Sequence, residues 1–203
     1  MTHIAIRSRE APLDLDLGAP LGLDDEALFE LCRLNPQLHI ERNAEGDLEV
    51  MTPAGGTSSH RNAEILFALM RWAHRDGQGI AFDSSGGFVL PNGAMRSPDA
   101  AWVLRSRLAD LSPEAKDRFL PLAPDFVVEL RSPSDSLDAL RAKMAEYAEQ
   151  GVRLGWLIDP AERRVFVYRG TESTEYLVDA VRVSGEPVLP GFELDLRPVW
   201  AGI

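Results

Sequence analysis

The stretch that decides the fold reads Pro124-Asp125-Phe126-Val127-Val128-Glu129-Leu130-Arg131. A valine-rich run of this length, entered from a proline, predicts a β-strand. Glu129 interrupts the run, and a carboxylate inside a buried strand is costly unless a partner compensates its charge. Because side chains alternate between the two faces of a strand, Glu129 shares a face with Val127 and Arg131. The pattern therefore predicts a buried strand with one acidic side chain that has a specific role.

A second carboxylate stands at the entrance of another apolar run. Asp99 follows Pro98 and begins the segment 99–104, a pattern that predicts a strand reached from a loop. Magnesium prefers carboxylate oxygens and keeps several waters, so two carboxylates are a sufficient protein contribution to a magnesium site. A bound Mg²⁺ can polarise a phosphoryl oxygen and activate a water for attack. Asp99 and Glu129 together therefore indicate a metal site for phosphodiester chemistry.

Lys143 is the third candidate catalytic residue. The chain has 21 basic residues, of which only Lys116 and Lys143 are lysines. Lys143 falls in a helix predicted over residues 136–150, at the border of an apolar stripe that includes Met144 and Tyr147. Its aliphatic stem can lie along the sheet while its amine reaches a cleft. The amine is expected to orient the attacking water or to stabilise negative charge on the phosphate.

Each of these residues also has a purely structural interpretation. Glu129 could form an ion pair with Arg96, Arg131 or Lys143. Asp99 could be a turn former after a proline, and Lys143 could be a solvated helix residue. The joint occurrence of the three residues on two strands and the following helix favours the catalytic interpretation.

The composition indicates one globular domain without a membrane segment. The chain has 203 residues, of which 45% are hydrophobic and 26% are charged. No apolar run approaches the roughly 20 residues needed to span a bilayer. The single cysteine, Cys32, excludes an intramolecular disulfide and fits a reducing cytoplasm and a buried structural role. The net charge of −11 counts against general nucleic-acid binding, so such binding requires a local basic cleft.

The order of the predicted elements indicates an α/β fold with a mixed β-sheet flanked by helices. Residues 1–20 are expected to form an N-terminal arm, and residues 21–203 to form a single domain. A short helix is predicted over residues 25–34 and a hairpin over residues 38–51, since the hairpin strands are separated by a turn that contains glycine.

Polar residues are expected to cap the two longest helices. Residues 57–59 (Thr-Ser-Ser) are candidate caps for a long helix that ends at Gly77. The segment 132–135 (Ser-Pro-Ser-Asp) is expected to cap the helix that carries Lys143. Serine-hydrolase chemistry is not indicated for this segment, because no suitable His and Asp partners accompany its serines.

Taken together, these motifs resemble those of the Uma family of restriction endonucleases, within the PD-(D/E)XK nuclease superfamily. The matching residues are Pro124 to Asp135, Lys143, Tyr147, Gly151 and Trp156 to Pro160. Further matches are Pro53, His60, Ser97 to Asp99, and Leu189 to Phe192. The resemblance covers nearly the whole chain from about residue 20.

The resemblance implies a restriction-endonuclease-like core in which Asp99 and Glu129 bind the metal and Lys143 acts in catalysis. The superfamily usually carries its lysine two residues after the glutamate, where this chain has Arg131. Arginine stays protonated at any working pH. In the Uma family the lysine has moved to the following helix, which matches Lys143. The metal implied by the resemblance is Mg²⁺, with Mn²⁺ as a substitute.

Basic and polar side chains near these positions are candidates for supporting roles. Phosphate contacts are expected from Arg96, Arg131 and Arg141. His60 and Glu64 lie four residues apart and hence on one helix face. In some nucleases of the superfamily an early-helix side chain completes the metal site. His60 matches the family motif and Glu64 rests on spacing alone, and a capping or surface role is the alternative for both.

The predicted function is that of a magnesium-dependent endonuclease, a phosphodiester hydrolase that acts on nucleic acid and specifically on DNA. Superfamily nucleases that cut both strands often pair two active sites, so a homodimer is expected by analogy. The alternative is a catalytically inactive, nuclease-derived module for nucleic-acid binding or assembly, favoured by the acidic charge and the missing Glu-x-Lys spacing. A third possibility is metal-dependent hydrolysis of a small phosphoester in a closed pocket.

Overall fold

The computed structural model describes residues 23–51 and 53–203, which form a mixed α/β fold. The predicted N-terminal arm, residues 1–20, lies outside the described residues. The described residues divide into a small unit (23–51, 53, 85–97 and 112–122) and a large unit (54–84, 98–111 and 123–203). The assignment of residues 21–203 to one domain stays a prediction. In the described part of the chain, no helix has both the length and the apolar character needed to cross a bilayer.

The described chain contains six helices and twelve strands. The helices are α1 (Asp25–Leu34), α2 (Gly56–Asp76), α3 (Arg105–Ala109), α4 (Pro113–Lys116), α5 (Leu137–Glu149) and α6 (Arg197–Ala201). The strands are β1 (His39–Arg42), β2 (Leu48–Met51), β3 (Gly79–Asp83), β4 (Phe88–Val89), β5 (Met95–Arg96), β6 (Ala100–Leu104), β7 (Phe126–Leu130), β8 (Leu154–Asp159), β9 (Arg164–Arg169), β10 (Ser173–Val178), β11 (Arg182–Ser184) and β12 (Glu193–Asp195). The α/β class predicted from the sequence is confirmed.

The small unit is built on a four-stranded antiparallel sheet in the order β2-β1-β5-β4. Helix α1 begins after Asp24, whose Oδ1 accepts a hydrogen bond from Ala27 N at 2.9 Å and so caps the helix. Leu28 and Leu31 of α1 are buried in one cluster with Ile40 of β1. This cluster gives the small unit a hydrophobic core of its own.

Cys32 is partly buried against this core, and burial raises the pKa of its thiol to about 11. Because the thiolate is the nucleophile, only roughly one thiol in a thousand is ionised at pH 8. We expect the native protein to react with DTNB at least about 100-fold more slowly than the urea-unfolded chain. The absorbance of the released thiolate measures both rates, and equal rates would contradict a structural role for Cys32.

The large unit contains a six-stranded sheet in the order β10-β9-β8-β7-β6-β3. Strands β7 and β8 are parallel, and every other neighbouring pair is antiparallel. Helix α5 connects β7 to β8, because a parallel pair requires a crossover between its strands. The sheet is therefore mixed, as the sequence predicts.

One face of this sheet carries the main hydrophobic core. Leu69 and Trp72 of α2 are buried there in one cluster with Phe126, Val128 and Leu130 of β7. The alternation predicted for this strand is therefore confirmed. Glu129, between Val128 and Leu130, projects from the opposite face of the sheet, which packs on α5.

On that opposite face, α5 approaches the sheet closely at a glycine. A Cβ atom at Gly155 of β8 would overlap Met144 Cε of α5 and would lie 3.4 Å from Val127 Cγ2. Met144 is fully buried. The absence of a side chain at position 155 therefore makes room for Met144 and sets how closely α5 can approach β8.

The predicted cap of the long helix is wrong. Helix α2 begins at Gly56, and its N-cap is Gly55, which has no side chain to cap the helix. Residues 57–59 thus lie inside the first turn. The predicted end is confirmed, because Gly77 adopts the left-handed conformation with φ 73° and donates its N–H to Ala73 O.

The cap of α5 also differs from the prediction by one position. Ser136 Oγ accepts a hydrogen bond from Ala139 N at 3.4 Å, so Ser136 caps the helix instead of the segment 132–135. Within that segment, Asp135 Oδ2 accepts a hydrogen bond from Ser132 N at 2.8 Å. The aspartate therefore closes a local turn, a use of Asp side chains that competes with helix capping.

Candidate active site

Asp99 immediately precedes β6, and Glu129 lies on the neighbouring strand β7 of the large unit. Strands β6 and β7 are antiparallel, with Ala100 opposite Val128. Continuing this register by one residue places Asp99 opposite Glu129. Asp99 Oδ2 accepts a hydrogen bond from Leu130 N, the residue that follows Glu129. The two residues predicted to bind metal therefore lie beside each other at the junction of β6 and β7.

Asp99 accepts a hydrogen bond on each carboxylate oxygen. Leu130 N donates to Oδ2 at 2.7 Å, and Asn62 Nδ2 donates to Oδ1 at 2.7 Å. Burial raises the pKa of this carboxyl, although both hydrogen bonds and the charge of Lys143 act in the opposite direction. The nearby charge of Asp135 adds to the rise. A cation beside Asp99 would favour the ionised form that burial disfavours.

Glu129 is paired with two side chains of α5. Lys143 Nζ lies 2.9 Å from Glu129 Oε1, and the Tyr147 hydroxyl donates to the same oxygen at 3.0 Å. The side chains of Lys143 and Glu129 are only 12% and 7% exposed. Lys143 and Tyr147 are four residues apart, so one face of α5 presents both groups to β7. A structural role of Glu129 predicts an ion pair with Lys143, and a catalytic role predicts that the same two side chains lie together. The observed contact therefore fits both roles.

Removing the Tyr147 hydroxyl measures how much it contributes to this arrangement. For Tyr147→Phe we expect the free energy of unfolding to fall by about 1.5 kcal/mol, because hydrogen bonds to charged groups contribute roughly 1.5–3 kcal/mol. Urea denaturation gives the value. Tyr176→Phe is the matched control, since Tyr176 is 64% exposed and should show no loss. Equal stability of the Tyr147 variant and the wild type would contradict the contribution of this hydrogen bond.

Arg131, which follows β7, forms an ion pair with Asp159, the last residue of β8. Its Nη1 lies 2.8 Å from Asp159 Oδ2, and its Nε donates to Asp135 O at 3.3 Å. Asp159 is fully buried, whereas Arg131 is partly exposed. The ion pair fixes the direction of the guanidinium. A contact between Arg131 and the phosphate stays a prediction.

The other two predicted phosphate contacts lie in different surroundings. Arg141 is exposed on α5, with its guanidinium 5.6 Å from the centre of the Phe166 ring. Arg96 belongs to the small unit and is buried there, with Nη1 2.6 Å from Glu49 Oε2 and 3.2 Å from Glu41 Oε2. Its guanidinium is therefore engaged by two carboxylates. For both arginines, phosphate binding stays a prediction.

The hydrogen bond to Asp99 from α2 comes from Asn62, a residue that the sequence reasoning did not select. Asn62 lies two residues from both His60 and Glu64, hence about 160° away from them around the helix axis. His60 and Glu64 are partly buried on their own face of α2, and their accessory role stays a prediction. The signal that could have identified Asn62 is an amide side chain on the helix face that also carries the apolar positions Leu66 and Leu69.

The donor atoms around Asp99 and Glu129 suit a hard divalent cation. Two carboxylates are present, and Oδ1 of Asn62 is buried without a hydrogen-bond partner among the described residues. Mg²⁺ commonly takes one or two carboxylates and keeps waters in its remaining positions. Within residues 23–51 and 53–203, no three His, Cys, Asp or Glu side chains are grouped to hold a metal. The donor set therefore fits an ion that retains water, and not a closed structural zinc site.

The mixed sheet flanked by helices is a restriction-endonuclease-like fold. A family model described as "Uma2: Putative restriction endonuclease" matches residues 25–197. The chain belongs to this family. The resemblance drawn from the sequence motifs is thereby confirmed.

The fold is also similar to that of solved proteins. One is the crystal structure titled as "a putative nuclease belonging to DUF820" from Anabaena variabilis, which is 24% identical to this chain with a TM-score of 0.67. The match covers 80% of this chain and 89% of the Anabaena chain. At this identity the likeness shows a shared fold. A comparison with the curated proteins found no match.

Proposed function

We propose that the protein is a magnesium-dependent endonuclease that hydrolyses phosphodiester bonds in DNA. One observation carries the proposal. Asp99 Oδ2 accepts a hydrogen bond from Leu130 N, next to Glu129, and Lys143 Nζ lies 2.9 Å from Glu129 Oε1. Two carboxylates and one ammonium group on a nuclease fold are the groups that metal-assisted hydrolysis of a phosphodiester requires.

In this proposal Asp99 and Glu129 hold the metal, with Mg²⁺ as the natural ion and Mn²⁺ as its substitute. The ion supplies Lewis-acid polarisation of the phosphoryl oxygen and lowers the pKa of a bound water. Lys143 is an ammonium donor beside Glu129 that stabilises negative charge on the attacking water or the phosphate. Arg131, whose direction is fixed by Asp159, contacts the phosphate of the substrate.

The charge of the chain limits how DNA can be held. A net charge of −11 opposes general attraction to a polyanion, so the contacts must be local. We assign them to Arg131 and Arg141 of the large unit. A homodimer would supply two active sites for cutting both strands, and the single cysteine fits a cytoplasmic location.

A cleavage assay on plasmid DNA tests the proposal. Supercoiled plasmid, single-stranded DNA and RNA are incubated separately with MgCl₂, MnCl₂ or EDTA, and the products are separated on gels. We expect metal-dependent nicking or linearisation of the plasmid by the wild type and no product from Glu129→Gln. Cleavage of RNA alone would contradict the DNA substrate. Equal activity of the Glu129 variant would indicate a contaminating nuclease.

A second candidate function is a nuclease-derived module that binds nucleic acid without cutting it. The observation in its favour is that both carboxylates have hydrogen-bond or ion-pair partners within the chain. The two candidates differ in one measurable respect. DNA binding in a gel-shift assay, without cleavage at any metal concentration, would favour the binding module over the endonuclease.

A further inference from the structure

Two aromatic side chains of the described residues are largely exposed, Phe67 of α2 at 62% and Tyr176 of β10 at 64%. Tyr176 lies on an edge strand of the six-stranded sheet, and its neighbour on the same face of that strand, Val178, is 54% exposed. Covering an aromatic ring with a partner is favourable, because the ring has a large apolar area. This part of β10 is therefore a candidate surface for binding a planar or apolar group.

The strand register connects Tyr176 to the candidate active site. Tyr176 is opposite Phe166 of β9, which in turn is opposite Leu157 of β8. Leu157 is opposite Glu129 of β7. Residues paired across neighbouring strands project from the same side of a sheet. Tyr176 and Glu129 therefore share one face, about 14 Å apart over three strand spacings.

Contacts with α5 support this placement. Lys143 Nζ lies 2.9 Å from Glu129 Oε1, and the Arg141 guanidinium lies 5.6 Å from the centre of the Phe166 ring. The Phe166 ring in turn lies 6.4 Å from the Tyr176 ring, centre to centre. Helix α5 therefore crosses the face between Glu129 and Tyr176, and Arg141 is exposed at this crossing. A chain-like ligand that extends from Glu129 to Tyr176 would meet a positive charge on its way.

An exposed aromatic ring near an arginine is the combination that binds single-stranded nucleic acid. The ring stacks on a base, and the guanidinium attracts the phosphate. Because the bases of a duplex are stacked on their neighbours, a ring can reach the face of a base only where the strand is unpaired. A second copy of this chain would bring a second Arg141 to the same surface, and the two positive charges would repel. The charge near Tyr176 therefore favours a nucleic-acid strand over a second copy.

We propose that the Tyr176 ring stacks on an unpaired base of the substrate and that Arg141 binds a phosphate between this base and the bond that is cut. This inference rests on the proposed function, since it takes Glu129 to hold the metal at the cut. It specifies the substrate as DNA with a single-stranded segment beside the cleavage position. It also gives Tyr176 a role in substrate binding that is separate from the chemistry.

The test measures DNA binding apart from cleavage. Fluorescence anisotropy in EDTA and in CaCl₂ gives the dissociation constants for a short labelled oligothymidylate, an abasic strand and a duplex, all of the same length. Gels check that the DNA stays intact. Tyr176→Ala removes the ring, and Tyr176→Phe keeps it. Phe67→Ala is the matched control, because Phe67 is similarly exposed beside an arginine, Arg71, but lies on α2, which packs on the core face of the sheet.

We expect Tyr176→Ala to raise the dissociation constant for oligothymidylate about 5- to 150-fold, the range for losing one ring that stacks on a base. Tyr176→Phe and Phe67→Ala should bind as the wild type does. The abasic strand has no base to stack, so Tyr176→Ala should bind it as tightly as the wild type does. The affinity for the duplex should also be unchanged. Urea denaturation checks that each variant is folded.

The outcomes separate this inference from the proposed function. Wild-type affinity of Tyr176→Ala for oligothymidylate would overturn the stacking role and leave the endonuclease proposal intact. An equal loss of affinity for the abasic strand or the duplex would also overturn it, since neither presents an unpaired base. A change from dimer to monomer in Tyr176→Ala, measured by light scattering, would assign the surface to a second copy and overturn the inference.

Two further outcomes concern the endonuclease itself. Binding that depends on Tyr176, without cleavage of the same oligonucleotide in MgCl₂, would support the stacking site and overturn the endonuclease. Absence of binding to every DNA by the wild type would overturn both proposals.

Discussion

Replacing Lys143 with methionine is expected to lower the rate of DNA cleavage by a factor of about 10²–10³. This is the typical loss when one donor that stabilises charge in the transition state is removed. Methionine keeps the length and packing of the lysine stem, and Tyr147 continues to donate to Glu129 Oε1. The fold should therefore be retained. Initial rates of plasmid cleavage in MgCl₂ measure the effect.

The chain provides a matched control, because its only other lysine is Lys116. Lys116 is exposed on α4 of the small unit, so Lys116→Met removes the same charge elsewhere and should cleave at the wild-type rate. Lys143→Arg keeps the charge and changes the shape of the donor, and it should restore little activity. Wild-type cleavage by Lys143→Met would remove Lys143 from the catalytic set.

Binding of Mn²⁺ or Mg²⁺ is expected to stabilise the protein, and this stabilisation should be lost in Asp99→Asn and Glu129→Gln. A ligand that binds only the folded state adds about 2.7 kcal/mol to the free energy of unfolding at a hundredfold excess over its Kd. Thermal unfolding with and without metal measures the gain. The experiment requires no knowledge of the DNA sequence that is cut.

Asp138→Asn serves as the control for the metal experiment, because Asp138 is an exposed carboxylate in the first turn of α5. It should keep the full stabilisation by metal. The metal-free Asp99→Asn protein should itself be more stable than the wild type at pH 7 by about 1 kcal/mol, a gain often seen when a costly functional group is removed. Equal stabilisation by metal in the wild type and both site variants would contradict the assignment of the ligands.

The sign of the pH effect at Asp99 follows from its raised pKa. Between the unfolded pKa and the raised folded pKa, the native state binds more protons than the unfolded state. The contribution of Asp99 to stability therefore falls as the pH rises through this interval. The advantage of Asp99→Asn over the metal-free wild type should accordingly shrink as the pH is lowered below both values.

Local patterns in the sequence were sufficient to predict the strand and helix that carry the site. The alternation along β7 placed Glu129 opposite to the core, and the 100° spacing of α5 placed Lys143 at the border of its buried face. Both follow from backbone geometry alone. These short-range rules are reliable for Glu129 and Lys143 because the position of each residue depends on one element. The meeting of Asp99 with the end of β7 depends in addition on the pairing of β6 with β7.

Contacts between distant segments were not predictable in the same way. Asn62 reaches Asp99 from 37 residues away, and Arg131 meets Asp159 from 28 residues away. Neither pair has a spacing that a helix or a strand would impose. Tyr147 was assigned to an apolar stripe, and the ring is indeed buried, although its hydroxyl donates to Glu129. Periodicity identifies which face a residue occupies and does not identify its partner.

The absence of a side chain at Gly155 affects the position of Lys143 on α5. Met144 fills the space left open at Gly155, and its neighbour in the chain is Lys143. The position of the Lys143 ammonium group beside Asp99 and Glu129 therefore depends on how closely α5 packs on the sheet. A larger side chain at position 155 would shift the ammonium group without altering any group that takes part in the chemistry. If Lys143 acts as proposed, the volume of the core between α5 and β8 sets its alignment, and a buried apolar substitution should change the rate of cleavage.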